Sequence, residues 1–361
     1  MKKVLAILLA AAMVFALAAC GSKAETPAPA ASTPAPAASS SSSTPAPAAS
    51  TPAKEEAKSY TIKFGHGNAP EDFVSVAVQN WADNVKAATD GRITIEVYPA
   101  SQLGDISTLL EMVSMGTLDM CLGDLSTMGS YLPKTDIFAM PYMWANWDHV
   151  SKVVDGDIGA KFFDELADTA NLRQLGVMWN GMRCLTTKTP IYGIEDCKGI
   201  VMRSPNLEVY LNLFKTLGMN PVPIAWDEAF NALATGVADG IEDSCEVAYK
   251  YDFWMYCKYI CKDNHICGLV GPTIREDLWS SMSADDQRLL QDLLDIQIEW
   301  ERKQITDSED YYYGLLEEKG MTVTEWKDRS ELINAFEPQW GEFAKKTNCE
   351  DLLKQIIDLS K

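Results

Sequence analysis

KGIVMRSPNLEVYLNLFKTLGMNPVPIAWDEAFNALATGVADGIEDS, residues 198–244, decides the fold. It reads as strand, helix, strand, helix, strand. Residues 199–203 form a short apolar strand that ends in the cation of Arg203. Pro205 and Asn206 open an apolar helix that stops at Gly218. Residues 222–224 make a second strand. Asp227 caps a helix carrying Ala229, Phe230, Ala232 and Leu233, and Gly236 ends it. Residues 237–241 make a third strand, with Glu242 and Asp243 following. In an open α/β sheet, ligands sit beyond the carboxyl ends of the strands. Arg203, Trp226 and Asp243 all fall there, so an arginine, a flat apolar ring and a carboxyl converge on one crevice. Guanidinium is always charged, and its fork of donors matches a carboxylate through two parallel hydrogen bonds. The arrangement suggests capture of a carboxylate; the alternative is that Arg203 pairs with Glu208 or Asp227 at the surface.

Upstream of this stretch the same alternation runs. Residues 60–65 read as a strand, with Ile62 and Phe64 on one side, and Gly65-His66-Gly67-Asn68 turn at its end. Phe73, Ala77, Trp81 and Val85 recur at helical spacing. Ile93, Ile95 and Val97 alternate with polar residues in a half-buried strand. An apolar helix over 108–115 ends at Gly116, and a strand over 118–122 leads to Gly123-Asp124. A strand over 174–179 runs into Asn180-Gly181-Met182-Arg183, where a new strand begins. Arg183 and Arg203 therefore flank one loop. The alternation predicts a parallel sheet with crossover helices. Downstream, Ser283-Ala284-Asp285-Asp286 has the form of a helix cap, and Leu289, Leu293, Ile296 and Trp300 continue at helical spacing. A helix over 283–318 would be long enough to run along two domains and tie them together.

The beginning of the chain sets the compartment. Lys2 and Lys3, an apolar run and Leu17-Ala18-Ala19-Cys20 form a secretion signal, residues 1–20. Leu-Ala-Ala-Cys resembles the bacterial lipobox, in which the cysteine, here Cys20, is lipidated. Residues 21–57 are rich in Ala, Pro, Ser and Thr, and TPAPAAS recurs from Thr26, Thr33 and Thr44. Such a stretch buries no core, and at roughly 3 Å per residue it could reach on the order of 100 Å as a tether. No later stretch is long and apolar enough to span a bilayer. The formal net charge of -20 argues against nucleic acid and anionic membrane surfaces as partners. Beyond Cys20 there are cysteines at 121, 184, 197, 245, 257, 261, 267 and 349. Outside the cell they could pair, and in an anaerobic habitat they would stay reduced. Cys257, Cys261, His265 and Cys267 do not have the spacing of a zinc knuckle; on a helix, Cys257 and Cys261 would be simple neighbours one turn apart. No metal and no cofactor are expected.

The chemistry inventory offers no catalytic constellation. His66, His149 and His265 have no paired spacing, and no nucleophile elbow, Walker loop, zinc-protease motif or dinucleotide fingerprint is present. An enzyme is therefore not expected.

Several motifs together resemble the solute-binding subunits of tripartite ATP-independent periplasmic (TRAP) transporters, the group that includes sialic-acid and C4-dicarboxylate binders. They are Phe64-Gly65, Val97-Tyr98-Pro99 with Gln102-Leu103-Gly104, Gly116-x-x-Asp119-Met120 and Met140-Pro141-Tyr142. Gly181-x-Arg183, the run from Lys198 to Asn206, Glu228-x-x-x-Ala232-Leu233 and Gly236-x-x-Asp239-Gly240 complete the set. The resemblance covers nearly all of the chain after the tether. It implies an α/β fold of two lobes, like the periplasmic binding proteins, with hinge crossovers and a long helix spanning both. The lobes would comprise residues 58–180 with part of 269–308, and 181–268 with part of 309–361. It also implies a monomer that takes a small organic acid and delivers it to a membrane permease driven by a sodium gradient. By position, Arg203 matches the arginine that clamps the carboxylate, and Arg183 the second arginine. Trp226 matches an aromatic that packs on the ligand, Asp124 a polar acidic contact, and Gly67-Asn68 the first ligand loop; Asn180 and Glu242 adjoin these positions. Asp243 departs from the pattern, where Gly-x-Glu-Asn-Pro is usual. Ionised aspartate only accepts hydrogen bonds, so Asp243 would face ligand hydroxyls or an amine, or balance Arg183. A hydroxylated acid such as a sugar acid is expected first, and a zwitterion second. A binding protein serving an ATP-driven importer or a sensor, with a zwitterionic or dicarboxylate ligand, is the alternative.

Overall fold

The structure, a computed structural model, describes residues 58–360. The secretion signal, Cys20 and the tether lie outside the described residues.

The first part of the described chain is β1 (Tyr60–Gly65), α1 (Phe73–Ala88), β2 (Ile93–Tyr98), α2 (Ile106–Ser114) and β3 (Met120–Asp124). Helices α3 (Trp147–Val154) and α4 (Asp157–Ala170) and strand β4 (Leu172–Gln174) follow. Then come β5 (Met178–Thr187), α5 (Ile194–Cys197), β6 (Val201–Ser204), α6 (Glu208–Thr216) and β7 (Asn220–Pro223). Next are α7 (Ala229–Thr235), β8 (Gly240–Asp243), α8 (Cys245–Lys250), β9 (Tyr259–Arg275) and α9 (Glu276–Ser280). The chain closes with α10 (Ala284–Glu318), β10 (Thr322–Glu325), α11 (Arg329–Lys346) and α12 (Glu350–Asp358).

One sheet carries all of these strands in the order β2-β1-β3-β9-β5-β8-β6-β7, with β4 and β10 also paired to β9. The expectation of a parallel sheet holds for two groups, β2-β1-β3 and β8-β6-β7. Between them the sheet is antiparallel: β9 opposes both β3 and β5, and β5 opposes β8. The reason is the length of β9. Its 17 residues bond to β3 through their last third and to β5 through the rest, so one strand serves both parallel groups.

Local chemistry explains several helix starts. Ser283 caps α10 by accepting from the Asp286 backbone N–H at 3.1 Å, as its sequence position predicts. Asp105 does the same for α2. Two predicted caps fail. Asp227 does not cap α7, because a 3-10 turn over Trp226–Glu228 carries the chain into the helix. Likewise α6 begins at Glu208, not Pro205, so Pro205 and Asn206 form a loop. Cys257 and Cys261 are not helical neighbours: Cys261 lies within β9.

The apolar residues form clusters on the faces of the sheet. One joins β1 and α1 to α10, with Trp81 fully buried and its indole N–H donating to the Leu290 carbonyl. Another packs β8 and α8 against the second half of α10 through Tyr312, Tyr313 and Leu316. Helix α10 therefore packs on α1 with its first half and on α8 with its second, and also touches β5 and β10. Among the described residues, no helix is long and apolar enough to cross a membrane.

Candidate functional site: a charged cleft beyond the strand ends

A cavity of about 400 Å³ lies where β1, β3, β6, β7 and β8 end. Its position follows the strand-end rule for α/β sheets. Of the residues singled out from sequence, Asn68, Asp124, Asn180, Arg183, Arg203, Trp226 and Asp243 all line it. Glu242 does not: successive strand residues point to opposite faces, and Glu242 is wholly buried behind the wall.

Arg203 sits at the carboxyl end of β6 and is 3% exposed. Its Nε donates to the Ile224 carbonyl at 2.9 Å, and its guanidinium carbon lies 5.4 Å from the Trp226 ring centre. That bond and that ring fix the fork. Neither Nη has a hydrogen-bond partner among the described residues, and no carboxylate pairs with it there. The surface pairing with Glu208 or Asp227 is not formed. Burial lowers the Arg203 pKa, with Glu242 opposing and Arg183 adding to that fall.

Arg183 is held differently. Its Nε donates to Glu242 Oε2, and its Nη2 donates to Glu242 Oε1 at 2.9 Å and to Asp243 Oδ2 at 3.0 Å. Burial works against its charge, but Asp243 and Glu242 outweigh burial and raise its pKa. The antiparallel register of β5 on β8 places these groups side by side, with Cys184 opposite Asp243 and Leu185 opposite Glu242. Burial raises the Asp243 pKa, Arg183 opposes it, and Glu242 adds to it. Glu242 is pulled the other way, because Arg183 and His265 overcome its burial. Behind Glu242 the chain of charges continues. His265 Nε2 is 3.5 Å from Glu242 Oε2, and its Nδ1 is 2.9 Å from Asp263 Oδ2. Asp263 in turn accepts from the Tyr142 hydroxyl and the Leu185 backbone N–H. Burial disfavours the His265 cation, yet Asp263 and Glu242 push its pKa up to about 9.

On the opposite wall, Asp124 Oδ1 accepts from the Ser126 backbone N–H at 2.8 Å and from the Ser126 hydroxyl at 2.7 Å. Burial raises its pKa, with Ser126 and Arg183 opposing. Asn68 Nδ2 donates to Asn180 Oδ1 at 3.4 Å and to Asp72 Oδ2 at 3.3 Å. Tyr251 accepts from the Ala69 backbone N–H at 2.9 Å and donates to Asp72 at 3.2 Å, which ties the end of α8 to the loop before α1.

Sequence reasoning missed Tyr210, Ser126 and Tyr251. Tyr210 lies in α6 and reads there as one more apolar helix residue; in the structure it lines the cavity with its ring 5.6 Å from the Arg183 guanidinium. His265 and Asp263 sit outside any motif, and only strand pairing brings them to Glu242.

A central sheet with two parallel halves, a bridging helix and a charged cleft at the strand ends defines a solute-binding protein of the two-lobe α/β class. The bacterial extracellular solute-binding proteins of family 7, DctP, match residues 64–347, and the chain belongs to this family, that of the TRAP transporters. A solute-binding protein of Roseobacter denitrificans is 30% identical over 269 residues, covering 74% of this chain and 82% of that one. Its crystal structure holds L-galactonate and superposes with a TM-score of 0.76 at 28% identity, covering 84% of this chain and 100% of the other. A TRAP solute-binding protein of Citrobacter koseri with bound D-glucuronate gives 0.77 at 28% identity, covering 83% and 99%. The sialic acid-binding periplasmic protein SiaP of Vibrio cholerae is 28% identical over 262 residues, covering 73% of this chain and 81% of SiaP. These relatives bind solutes for transporters, and this chain is likewise an extracytoplasmic binding protein and not an enzyme.

Proposed function

We propose that this protein captures a small hydroxylated monocarboxylate of the sugar-acid class and delivers it to a TRAP permease. The observation that carries the reading is Arg203: a guanidinium buried in the cleft, seated on Trp226, with both Nη atoms unpaired. A buried cation stripped of water gains most from an anion that supplies two acceptors. Arg183 Nη1 has no partner among the described residues, so a ligand carboxylate can be shared between the arginines. Asp124 and Asp243 present acceptors to the same space, which suits several hydroxyl donors better than a second carboxylate. The relatives that hold L-galactonate and D-glucuronate support the same chemistry.

The two acidic walls also favour a second reading, a zwitterion whose ammonium meets Asp124 or Asp243. Calorimetric titration with D-glucuronate, L-galactonate and succinate, with mass spectrometry of any solute released from the purified protein, separates the readings. Binding of the hydroxylated acids alone is expected; binding of succinate alone overturns the sugar-acid reading, and a co-purifying amino acid selects the zwitterion.

In this reading the cleft closes between the lobes named above, 58–180 with part of 269–308 against 181–268 with part of 309–361. A ligand that touches both walls shifts the equilibrium toward the closed form by its differential affinity. The protein acts as a monomer, anchored through lipidated Cys20 and displayed on the 21–57 tether. Fatty-acid labelling that is lost in Cys20→Ser tests the anchor.

A further inference from the structure

Where β5 meets β9, the ladder slips. Trp179 pairs with Leu269 and Met182 with Cys267, so Asn180 and Gly181 together face Gly268 alone. This is a β-bulge, which turns the strand and leaves backbone groups without ladder partners. Gly181 adopts φ +83°, and a Cβ there would stand 2.5 Å from the Ser244 Cβ. A Cβ on Gly268 would stand 2.9 Å from the Asn180 Cβ. The bulge is thus built into the packing, and it carries Asn180 into the cleft.

Helix α10 grips the strand just before the bulge. Arg302 donates to the Val177 carbonyl from Nε at 2.9 Å and from Nη2 at 2.6 Å. The preceding residue, Glu301, accepts the Trp179 backbone N–H through Oε2 at 3.0 Å. Two consecutive helix residues therefore bracket Met178 and hold a carbonyl on one side and an N–H on the other. Arg302 is anchored in turn by Asp155, and the Trp179 ring is stacked on Trp147 at 4.2 Å. Glu301 is wholly buried, and its Oε1 has no partner among the described residues.

We propose that Glu301 is a positioning residue of the binding site: as a neutral carboxylic acid it pins the bulge that presents Asn180 to the ligand. The inference rests on the cleft being the ligand site. Burial pushes the Glu301 pKa up to about 8; the Trp179 N–H opposes this, Glu246 on α8 adds to it, and Arg302 opposes it. Glu246 is itself paired with Lys250, which leaves Arg302 as the near cation, already engaged with Asp155. A bare anion at Oε1 would therefore lie unpaired in the interior, whereas the neutral acid leaves only one hydroxyl unmet. The folded pKa exceeds the unfolded one, so the stabilisation is whole below about pH 4.5 and is lost as pH rises through about 8.

Two variants separate the roles. Glu301→Gln keeps an acceptor for Trp179 and cannot ionise; Glu301→Leu keeps bulk and removes the acceptor. Amide hydrogen exchange of the segment 177–183 is followed without ligand at pH 6 and pH 9, corrected for the intrinsic pH dependence, and D-glucuronate is titrated at pH 7. The wild type is expected to lose protection several-fold at pH 9. Glu301→Gln should lose clearly less protection than the wild type between pH 6 and pH 9, the remaining loss being the part that His265 on the paired strand β9 contributes, and should bind D-glucuronate within twofold of wild type. Glu301→Leu should exchange fast at both and bind at least tenfold more weakly. Wild-type exchange in Glu301→Leu, or an unchanged pH 9 loss in Glu301→Gln, overturns the proposal. If Glu301→Leu does not fold, the pH 9 comparison of Glu301→Gln with wild type decides alone. If the wild type does not bind D-glucuronate, the sugar-acid reading fails while the exchange data still judge Glu301.

Discussion

Arg203 and Arg183 are both buried cations in one cleft, yet their partners give them different work. Arg183 is neutralised within the protein by Glu242 and Asp243, whereas Arg203 spends only its Nε, on a carbonyl. Removing Arg203 would leave a bound carboxylate desolvated and unmatched. Arg203→Ala is therefore expected to weaken sugar-acid binding by about 3–5 kcal/mol. Arg203→Lys should be nearly as damaging, because a point charge cannot reproduce the fork; wild-type affinity in either variant, read by calorimetry, would defeat the assignment. His265 makes a separate prediction about stability. Its folded pKa, about 9, exceeds its ordinary value near 6.5 because Asp263 and Glu242 surround it. The stability it contributes is complete below pH 6.5 and is lost as pH rises through about 9. The amount at stake is on the order of 3 kcal/mol. Denaturant unfolding should show His265→Gln well below wild type at pH 6 and much closer to it at pH 10. A constant gap across that range would mean that folding does not raise the imidazole's pKa.

Elements differ in how far they announced themselves. β6 was readable as a short strand between a helix and a turn, and β8 only in part: expected over 237–241, it spans Gly240–Asp243, so Glu242 and Asp243 lie within it and not after it. The strand-end rule nonetheless located Arg203 and Asp243 at the cleft. β9 was not readable. Its run YICKDNHICGLVGPTIR carries Lys262, Asp263, Asn264 and His265 in a pattern without period 2, and a buried network, invisible in one dimension, satisfies Asp263 and His265. Arg183 was placed correctly at the cleft, but its partnership with Glu242 depends on antiparallel pairing between strands some 60 residues apart, which no local signal encodes. Helix α10 was legible from its cap and its spacing, while its grip on the β5 bulge was not. The tie between α8 and the loop before α1 was also hidden, since Tyr251 looks like one of many aromatics. Its hydroxyl serves both the Ala69 N–H and Asp72. Tyr251→Phe removes one partner from each, but the Ala69 N–H still donates to Asp72 at 3.1 Å and Asp72 still accepts from Asn68, so the cost is that of a lost hydrogen bond, about 0.5–1.5 kcal/mol. If that tie belongs to the closed cleft, bound sugar acid should dissociate faster from this variant in stopped-flow measurements, with the association rate little changed. An unchanged dissociation rate would make the contact a local one.

At the scale of the whole molecule, an acidic chain with a formal charge of -20 surrounds a cleft whose unpaired group is a cation. General anion binding would not be expected from such a surface; a single anion in a shaped, dry site would. A ligand that binds only the folded protein adds stability of RT ln(1 + [L]/Kd), about 2.7 kcal/mol at a hundredfold excess over Kd. For a folded part of this size that corresponds to a rise in Tm on the order of 5 °C. The rise should appear with L-galactonate or D-glucuronate, be absent with chloride or sulfate at equal ionic strength, and vanish in Arg203→Ala. A rise that sulfate reproduces would point to nonspecific screening of the surface charge, because a site built around Arg203, Trp226 and two carboxylates has no reason to accept a dianion. A rise that survives in Arg203→Ala would move the binding site elsewhere, since among the described residues the other cation lining the cleft, Arg183, is already paired with Glu242 and Asp243.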